Sequence, residues 1–294
     1  MIKMIIVGSL AMDLVVTAKS RPQKGETIMG ETFKIIHGGK GANQAVAGSK
    51  LGADVVMLGC VGNDQFGEEI LDNLSRNKVC TSLIRRVDGV ESGIAHIILA
   101  ENDNSIIVVK GANEFVVPSY IEEHTDIFKS ADIVLIQQEI PEETVDYVVK
   151  LCSKINVPII LNPAPARKIK KTIIDQVTYL TPNEHEANVL FDVANYRQIL
   201  SQYPNKLFVT EGAKGVRYHN GKNEVAIPTY QVEVVDTTGA GDTFNSAFAV
   251  AVAEGKKIHK SLNFASRAAS LSVTKFGAQG GIPTREEVES TLTN

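Results

Sequence analysis

Residues 239–242, Gly-Ala-Gly-Asp, place a carboxylate directly behind two glycines. The flanks read as two elements. Val232, Val234 and Val235 are β-branched and suit a buried strand, whereas Phe244, Ala247, Phe248 and Ala251 recur at i, i+3, i+4 and i+7, the period of one helix face. A helix beginning at this turn leaves its first N–H groups without intrahelical partners beside the positive end of its dipole, and glycine lets a ligand approach the backbone closely. Such a turn binds anions. With Asp242 at its mouth, the combination implies phosphoryl transfer: amides hold the migrating group while the carboxylate takes a hydroxyl proton. Strand–glycine turn–helix units also occur throughout α/β proteins, and Asp is common in a first helical turn for dipole reasons alone, so the stretch by itself also admits a structural reading.

A second glycine turn, Gly38-Gly39-Lys40-Gly41, opens a helix with Ala42, Ala45 and Val46 on one face. Lys40 is not followed by Ser or Thr and no G-x-x-x-x-G-K frame fits, which excludes a Walker A loop. Lys40 and Asn43 at a helix start, with glycines for close approach, suit a polar ligand rich in oxygen. Further polar residues follow other predicted strands: Glu139, Asn183 with Glu186, and Thr210-Glu211-Gly212. Each alone is an ordinary cap or surface residue. Together with Asp242 they fall on one rim of a sheet, at the carboxyl ends of its strands, where α/β proteins bind ligands. His185-Glu186 begins like the zinc helix H-E-x-x-H, but its last position is Val189, and there is no G-x-S-x-G elbow.

The elements that must position these residues alternate along the chain. Strands are expected at the amino terminus and over 14–17, 54–58, 132–137, 157–161, 177–180 and 206–210. Helices are expected over 65–77, 120–128, after Pro141, over 195–203 and 258–275, and after Pro283. A hairpin is expected around Asn220-Gly221. This pattern predicts an α/β fold, a mostly parallel sheet covered by helices, as a single domain over residues 1–294. Two β patches at about 13–37 and 92–110, the second turning at 101–104, are expected to pair as a small sheet built out from it. Hydrophobic residues make up 44% and charged residues 22% of the chain, which marks it as globular. A net charge of −4 without long like-charge runs argues against nucleic acid or an anionic membrane as partner. Cys60, Cys80 and Cys152 are odd in number and widely spaced, which points to reduced thiols and a cytoplasmic protein. The apolar run Met1–Val7 is too short for a signal peptide or a bilayer span.

Residues 38–47, GGKGANQAVA, and 236–245, DTTGAGDTFN, resemble the two signatures of the ribokinase branch of the phosphofructokinase-B-type carbohydrate kinases. Residues 8–13, 162–166, 181–186 and 277–279 fit the same branch, so the likeness runs through almost the whole chain. It implies a ribokinase-like three-layer sandwich whose small β-sheet is a lid that also pairs two subunits as a homodimer. It implies Asp242 as the catalytic base, with Gly239, Ala240 and Gly241 as the anion hole. Asp13, Gly39, Lys40, Asn43 and Glu139 would hold the sugar, with Ala11, Met12, Gly41 and Ala42 beside them. Asn183, Thr210, Glu211, Gly212, Ala213, Lys214, Gly215, Gly241 and Ser266 would line the ATP site, and Glu186 would organise the magnesium shell. Asp236, Thr238, Ser272, Lys275, Gly277 and Gly281 would hold an activating potassium ion. The implied reaction moves the ATP γ-phosphate to O5 of 2-deoxyribose or ribose. Alternatives are the same chemistry on a nucleoside, a ketohexose or a sugar phosphate, or a non-catalytic sugar sensor. One departure bears on the acceptor: the branch usually has Asn where this chain has Ala11, and an alanine side chain bonds no hydroxyl. An apolar site rejects an added hydroxyl by only about 10², so 2-deoxyribose is expected to be accepted and ribose at most moderately disfavoured.

Overall fold

The computed structural model describes residues 1–101 and 103–292. Its strands are, in chain order, β1 (Lys3–Val7), β2 (Ala11–Thr17), β3 (Thr32–Gly38), β4 (Asp54–Leu58), β5 (Cys60–Gly62), β6 (Arg85–Val87) and β7 (Gly93–Ala100). They continue as β8 (Asp103–Val109), β9 (Ile133–Ile136), β10 (Ile159–Leu161), β11 (Tyr179–Leu180), β12 (Phe208–Thr210), β13 (Val216–His219) and β14 (Glu224–Ile227). The helices are α1 (Lys40–Lys50), α2 (Gln65–Arg76), α3 (Pro118–Glu122), α4 (Thr125–Phe128), α5 (Glu142–Ile155), α6 (Lys171–Gln176), α7 (Glu184–Phe191), α8 (Ala240–Ala253), α9 (Ile258–Ser272) and α10 (Arg285–Ser290).

Strand β1 shows why the centre is a covered parallel sheet. Met4 and Ile6 enter one hydrophobic cluster, and Ile5 and Val7 enter another on the opposite face. A strand apolar on both faces needs cover on both. The central order is β11-β10-β9-β1-β4, all parallel. Parallel bridges Leu180–Leu207 and Asn183–Thr210 carry its edge on to the antiparallel sheet β12-β13-β14. One face is covered by α1, α8 and α9 through residues such as Val46, Phe248 and Leu262. The other is covered by α5 through Val145, Val148 and Val149, with Tyr120 and Phe128 beside it. Phe248 anchors α8, its ring 5.0 Å from that of Phe208 and 5.4 Å from that of Tyr179. Truncating such a buried ring costs about 3–5 kcal/mol, so the helix that carries Asp242 is firmly seated.

The two β patches form one four-stranded sheet, β3-β2-β7-β8, separate from the first. Its outer strand β8 is exposed along its whole length, and Phe33, Ile35, Ile106, Ile107, Val108 and Val109 remain largely open to solvent. The predicted turn over 101–104 includes Asn102, which lies outside the described residues.

Some expectations are corrected. Val232–Val235 is not a strand. The N–H groups of Val235 and Asp236 both donate to the Val273 carbonyl instead of to a strand, and Val234 and Val235 are 60% and 57% exposed. The helix expected over 120–128 is two short ones, and 195–203 is a 3₁₀ helix, Tyr196–Gln202. The helix expected to reach 275 stops at Ser272. The pair β5–β6 and helix α6 were not anticipated.

Candidate active site

Asp242 sits in the first turn of α8, behind Gly239 in the left-handed conformation at φ 78°. The N–H of Ala240 donates to the Thr237 carbonyl at 3.2 Å, which closes the turn. The N–H groups of Gly241 and Asp242 have no partner among the described residues. A Cβ on Gly241 would meet nothing within 4 Å. The helix therefore presents two unpartnered donors to open space.

The carboxylate itself is buried and held on both oxygens. Asn43 Nδ2 donates to Oδ2 and Gln44 Nε2 to Oδ1, each at 3.0 Å. Asn43 is in turn fixed by Gln279 Nε2, which donates to its Oδ1 at 3.0 Å. Burial raises the Asp242 pKa, as Glu139 does, against the opposing pull of Lys40, Asn43 and Gln44. Burial works against the Lys40 ammonium too, but Asp242, Glu139, Glu186 and Asp13 around it prevail and its pKa is raised. At neutral pH this lysine is a fixed positive charge.

Asp242, Asn43 and Lys40 line one cavity of about 630 Å³ at the carboxyl ends of the central strands, a size that suits a small ligand. Asp13, Gly39, Lys40, Asn43, Glu139, Glu186, Thr238, Gly239 and Asp242 lie on its walls, with Ala11, Ala95, Ile97, Ile106, Val108 and Val109 of the second sheet. Asp13 is pushed up to about 7 by burial, Glu139 and Asp242, with Lys40 opposing. Gly38 leaves room for it: a Cβ there would lie 2.2 Å from Asp13 Oδ1. Glu139 accepts from the Ser9 hydroxyl and from the Lys40 N–H at 3.0 Å. Asn183 and Glu186 form a reciprocal cap on α7, each side chain accepting from the other's N–H at 2.8 Å. Burial raises the Glu186 pKa, against the Asn183 N–H and Lys40.

Not every expected residue reaches the cavity. Strand alternation turns Met12 away from Ala11 and Asp13 into the core, and Ala42 joins the same core from α1. Gly41 abuts the backbone of Gly8 and Ser9. The Glu211 carboxylate is buried against Arg217 and Tyr196, so only its backbone is on the rim. Gly212, Ala213 and Lys214 form an exposed 3₁₀ turn between Thr210 and Gly215. Ser266 is buried on α9 with its hydroxyl unpartnered among the described residues. Asp236 belongs to a second cluster behind the α8 turn. Burial opposes its charge, yet the N–H groups of Thr238 and Gly277 and the Thr238 hydroxyl hold it below the usual carboxylate range. Gly281 keeps two carbonyls of that cluster uncovered: a Cβ there would lie 1.9 Å from the Ser272 oxygen and 3.4 Å from that of Lys275. Ser9, Gln44, Gln137, Asn113 and His185 carry site geometry that sequence reasoning missed. Gln44 and Gln137 had a signal, as amides bordering buried apolar runs, Ala45–Ala47 and Ile133–Ile136.

The chain matches the pfkB family of carbohydrate kinases over residues 1–285. The chain belongs to that family. It is 59% identical to the protein named ribokinase of Bacillus subtilis, across 98% of each chain. It is 34% identical to a deoxyribokinase of Salmonella typhi, across 98% of this kinase and 97% of the relative. The structure of Arabidopsis thaliana ribokinase complexed with ribose and ATP superposes with a TM-score of 0.92 at 35% identity, covering 100% of both chains. The kinase thus has a ribokinase-like α/β fold with a separate small sheet. Among its described residues no helix is long and apolar enough to cross a membrane.

Proposed function

We propose that this kinase transfers the γ-phosphoryl group of ATP to the O5 hydroxyl of ribose and also accepts 2-deoxyribose, giving the 5-phosphate, ADP and a proton. The observation that carries the reading is the buried Asp242 carboxylate beside two unpartnered α8 amides, in one cavity with Asp13, Lys40 and Glu139. Asp242 takes the hydroxyl proton, the N–H groups of Gly241 and Asp242 hold the phosphoryl oxygens, and the Lys40 ammonium offsets their charge. Asp13, Asn43 and Glu139 hold the sugar. The relatives named ribokinase weigh toward ribose, while Ala11 on the cavity wall supplies no group that would demand a 2-hydroxyl. A sugar phosphate is a poorer fit: Arg21 is paired with Glu101 and Lys34 lies over the Phe276 ring, neither lining the cavity, and Lys110, which does line it, is paired with Glu114.

ATP would extend from the α8 turn along Asn183, Thr210 and the exposed 212–214 turn toward Ser266. No three His, Cys, Asp or Glu side chains gather as a metal cage among the described residues. Glu186 would supply a carboxylate to a magnesium ion held mainly through nucleotide phosphates, and the ion would neutralise phosphate charge there. Asp236 and the carbonyls of Ser272 and Lys275 fit a monovalent cation such as potassium, whose charge would steady the α8 turn. We read the chain as one domain whose four-stranded sheet is a lid that excludes water from the reaction. The exposed apolar side chains of β3 and β8 support pairing of two copies through that sheet. The unpaired thiols fit a cytoplasmic enzyme.

The test is ADP release with ribose, 2-deoxyribose, fructose and nucleosides, with and without potassium. Both pentoses should turn over, and Asp242→Asn should lower kcat by about 10²–10⁴ while the fold and ATP binding persist. Absence of ADP release with either pentose would falsify the reading.

A further inference from the structure

The two donors that grip Asp242 come from different places. Asn43 bonds Oδ2 from the cavity wall. Gln44 bonds Oδ1 from a position with no exposed surface. Gln44 is itself locked. Its Nε2 also donates to Asn162 Oδ1 at 3.2 Å, its Oε1 accepts from Gln137 Nε2, and its backbone carbonyl accepts from the Ser246 hydroxyl at 2.7 Å, one turn along α8 from Asp242. Turning the amide over would set its carbonyl against the carboxylate and leave the Gln137 donor facing another N–H. With Asp242 ionised, the Gln44 amide therefore keeps its donor toward the carboxylate, while Gln137 Oε1 is buried without a partner among the described residues. The network draws on α1, α8, the segment after β9 and the segment after β10, so it ties the base to four parts of the chain.

We propose that Gln44 is a positioning residue for phosphoryl transfer: by fixing Oδ1 it stops the carboxylate from rotating and leaves Oδ2, on the cavity side, as the oxygen that takes the substrate proton. The inference rests on Asp242 being the base. Displacing a reacting group by about an ångström costs about 10²-fold in rate. A donor to the carboxylate also favours its ionised form, so losing it moves the titration of Asp242 upward. The charged groups that act on Asp242 include Lys40 on α1, Glu139 after β9, Asp13 on β2 and Glu186 on α7, and Lys110 and His185 line the same cavity. None of them is hydrogen-bonded by the Gln44 side chain.

The experiment compares kcat, both KM values, the pH–rate profile and thermal melting for the wild type, Q44L, Q44E and D242N, with ribose and ATP. In Q44L, kcat should fall about 10- to 100-fold, with the ribose KM within about threefold of wild type and the acid limb moved to higher pH. Q44E keeps the shape and still accepts from Gln137. Its introduced carboxyl donates to Asp242 only while protonated, so activity should acquire a basic limb that the wild type lacks. A Q44L enzyme with kcat within about twofold of wild type and an unmoved acid limb overturns the proposal. So does a fall in kcat that merely tracks the melting temperature at an unmoved acid limb. Should Q44L fail to fold, Q44E decides alone, and a profile without a basic limb overturns the proposal. Near-normal turnover in D242N would instead remove the base assignment, whatever the Gln44 variants do.

Discussion

Helices α1 and α8 both begin at glycine turns, both face the same cavity, and yet their first amides have opposite fates. At α1 the N–H of Lys40 donates to Glu139 at 3.0 Å, that of Gly41 to the Ser9 hydroxyl at 3.4 Å, and that of Ala42 to the Ser9 carbonyl at 3.0 Å. At α8 the N–H groups of Gly241 and Asp242 are unpartnered among the described residues. The glycines differ in the same way. A Cβ on Gly41 would lie 2.6 Å from the Ser9 carbonyl oxygen and 2.7 Å from the Gly8 carbonyl carbon, whereas one on Gly241 would meet nothing. Gly41 lets backbone pack on backbone; Gly241 leaves room for something the chain does not supply. On the proposed function, similar sequence at two helix starts would mark a sugar end built from side chains and a phosphate end built from amides.

The sharpest way to break this comparison is to add one methyl group at each position. Gly41→Ala forces the start of α1 away from Ser9, and overpacking of this kind costs about 1–3 kcal/mol. Its melting temperature should fall, with activity lost in proportion. Gly241→Ala sits at a helical position with free space, where alanine is favoured over glycine by about 0.8–1.0 kcal/mol. Its melting temperature should hold or rise while kcat/KM for ATP drops by about tenfold or more, because the methyl group enters the phosphate space. Differential scanning fluorimetry beside the ADP-release assay reads both. If Gly241→Ala melts early, or Gly41→Ala is as stable as the wild type, the distinction between packing glycine and ligand glycine is lost.

Much of this division was legible before any coordinates. The glycine turns, the helix face of Phe244 to Ala251 and the rim positions of Glu139, Glu186 and Asp242 follow from local period and spacing, and the structure brings these three acids to one cavity. The parallel sheet follows from the alternation of strands and helices along the chain. What local pattern could not reveal is whether a neighbour exists. Val232–Val235 has strand propensity, but its end is tied to the Val273 carbonyl after α9 instead of to a strand, a long-range contact that no local pattern announces. Met12 and Ala42 belong to matching motifs, yet which way a side chain turns depends on where the sheet and α1 meet their cover. The Gln44–Gln137–Asn162 network joins residues up to 118 positions apart, so no window of sequence contains it.

The sugar end should be the one that responds to pH through stability. Asp13 is raised to about 7 by burial and by Glu139 and Asp242. Because the folded value lies above the unfolded one, about 3.9, ionisation of Asp13 disfavours the folded state. Its contribution is most favourable below the unfolded pKa and is lost as pH rises through about 7. Asp13→Asn should therefore melt higher than the wild type at pH 8, by on the order of a few degrees, with the gap closing near pH 4. A gap that is absent at pH 8, or that widens toward acid, would show that the cavity does not burden this carboxylate as described.

The smallest effect expected is at Ala11, one alternate position along β2 from Asp13 and on the same cavity wall. Here the comparison between a sugar end of side chains and a phosphate end of amides is sharpened, because a single side chain should tune the acceptor without touching phosphoryl transfer. Ala11→Asn adds a donor and an acceptor where the wild type has a methyl group. One neutral hydrogen bond is worth about 0.5–1.5 kcal/mol net, so the ribose to 2-deoxyribose ratio of kcat/KM should rise by about 2- to 12-fold. The change should come through the sugar KM, with the ATP KM and the Asp242 acid limb unmoved, since the α8 turn is built from other parts of the chain. Competition between the two pentoses in one reaction measures the ratio directly. A ratio that stays put would mean that the 2-hydroxyl does not face Ala11; a shift in the ATP KM would mean that the two ends of the cavity are not separable.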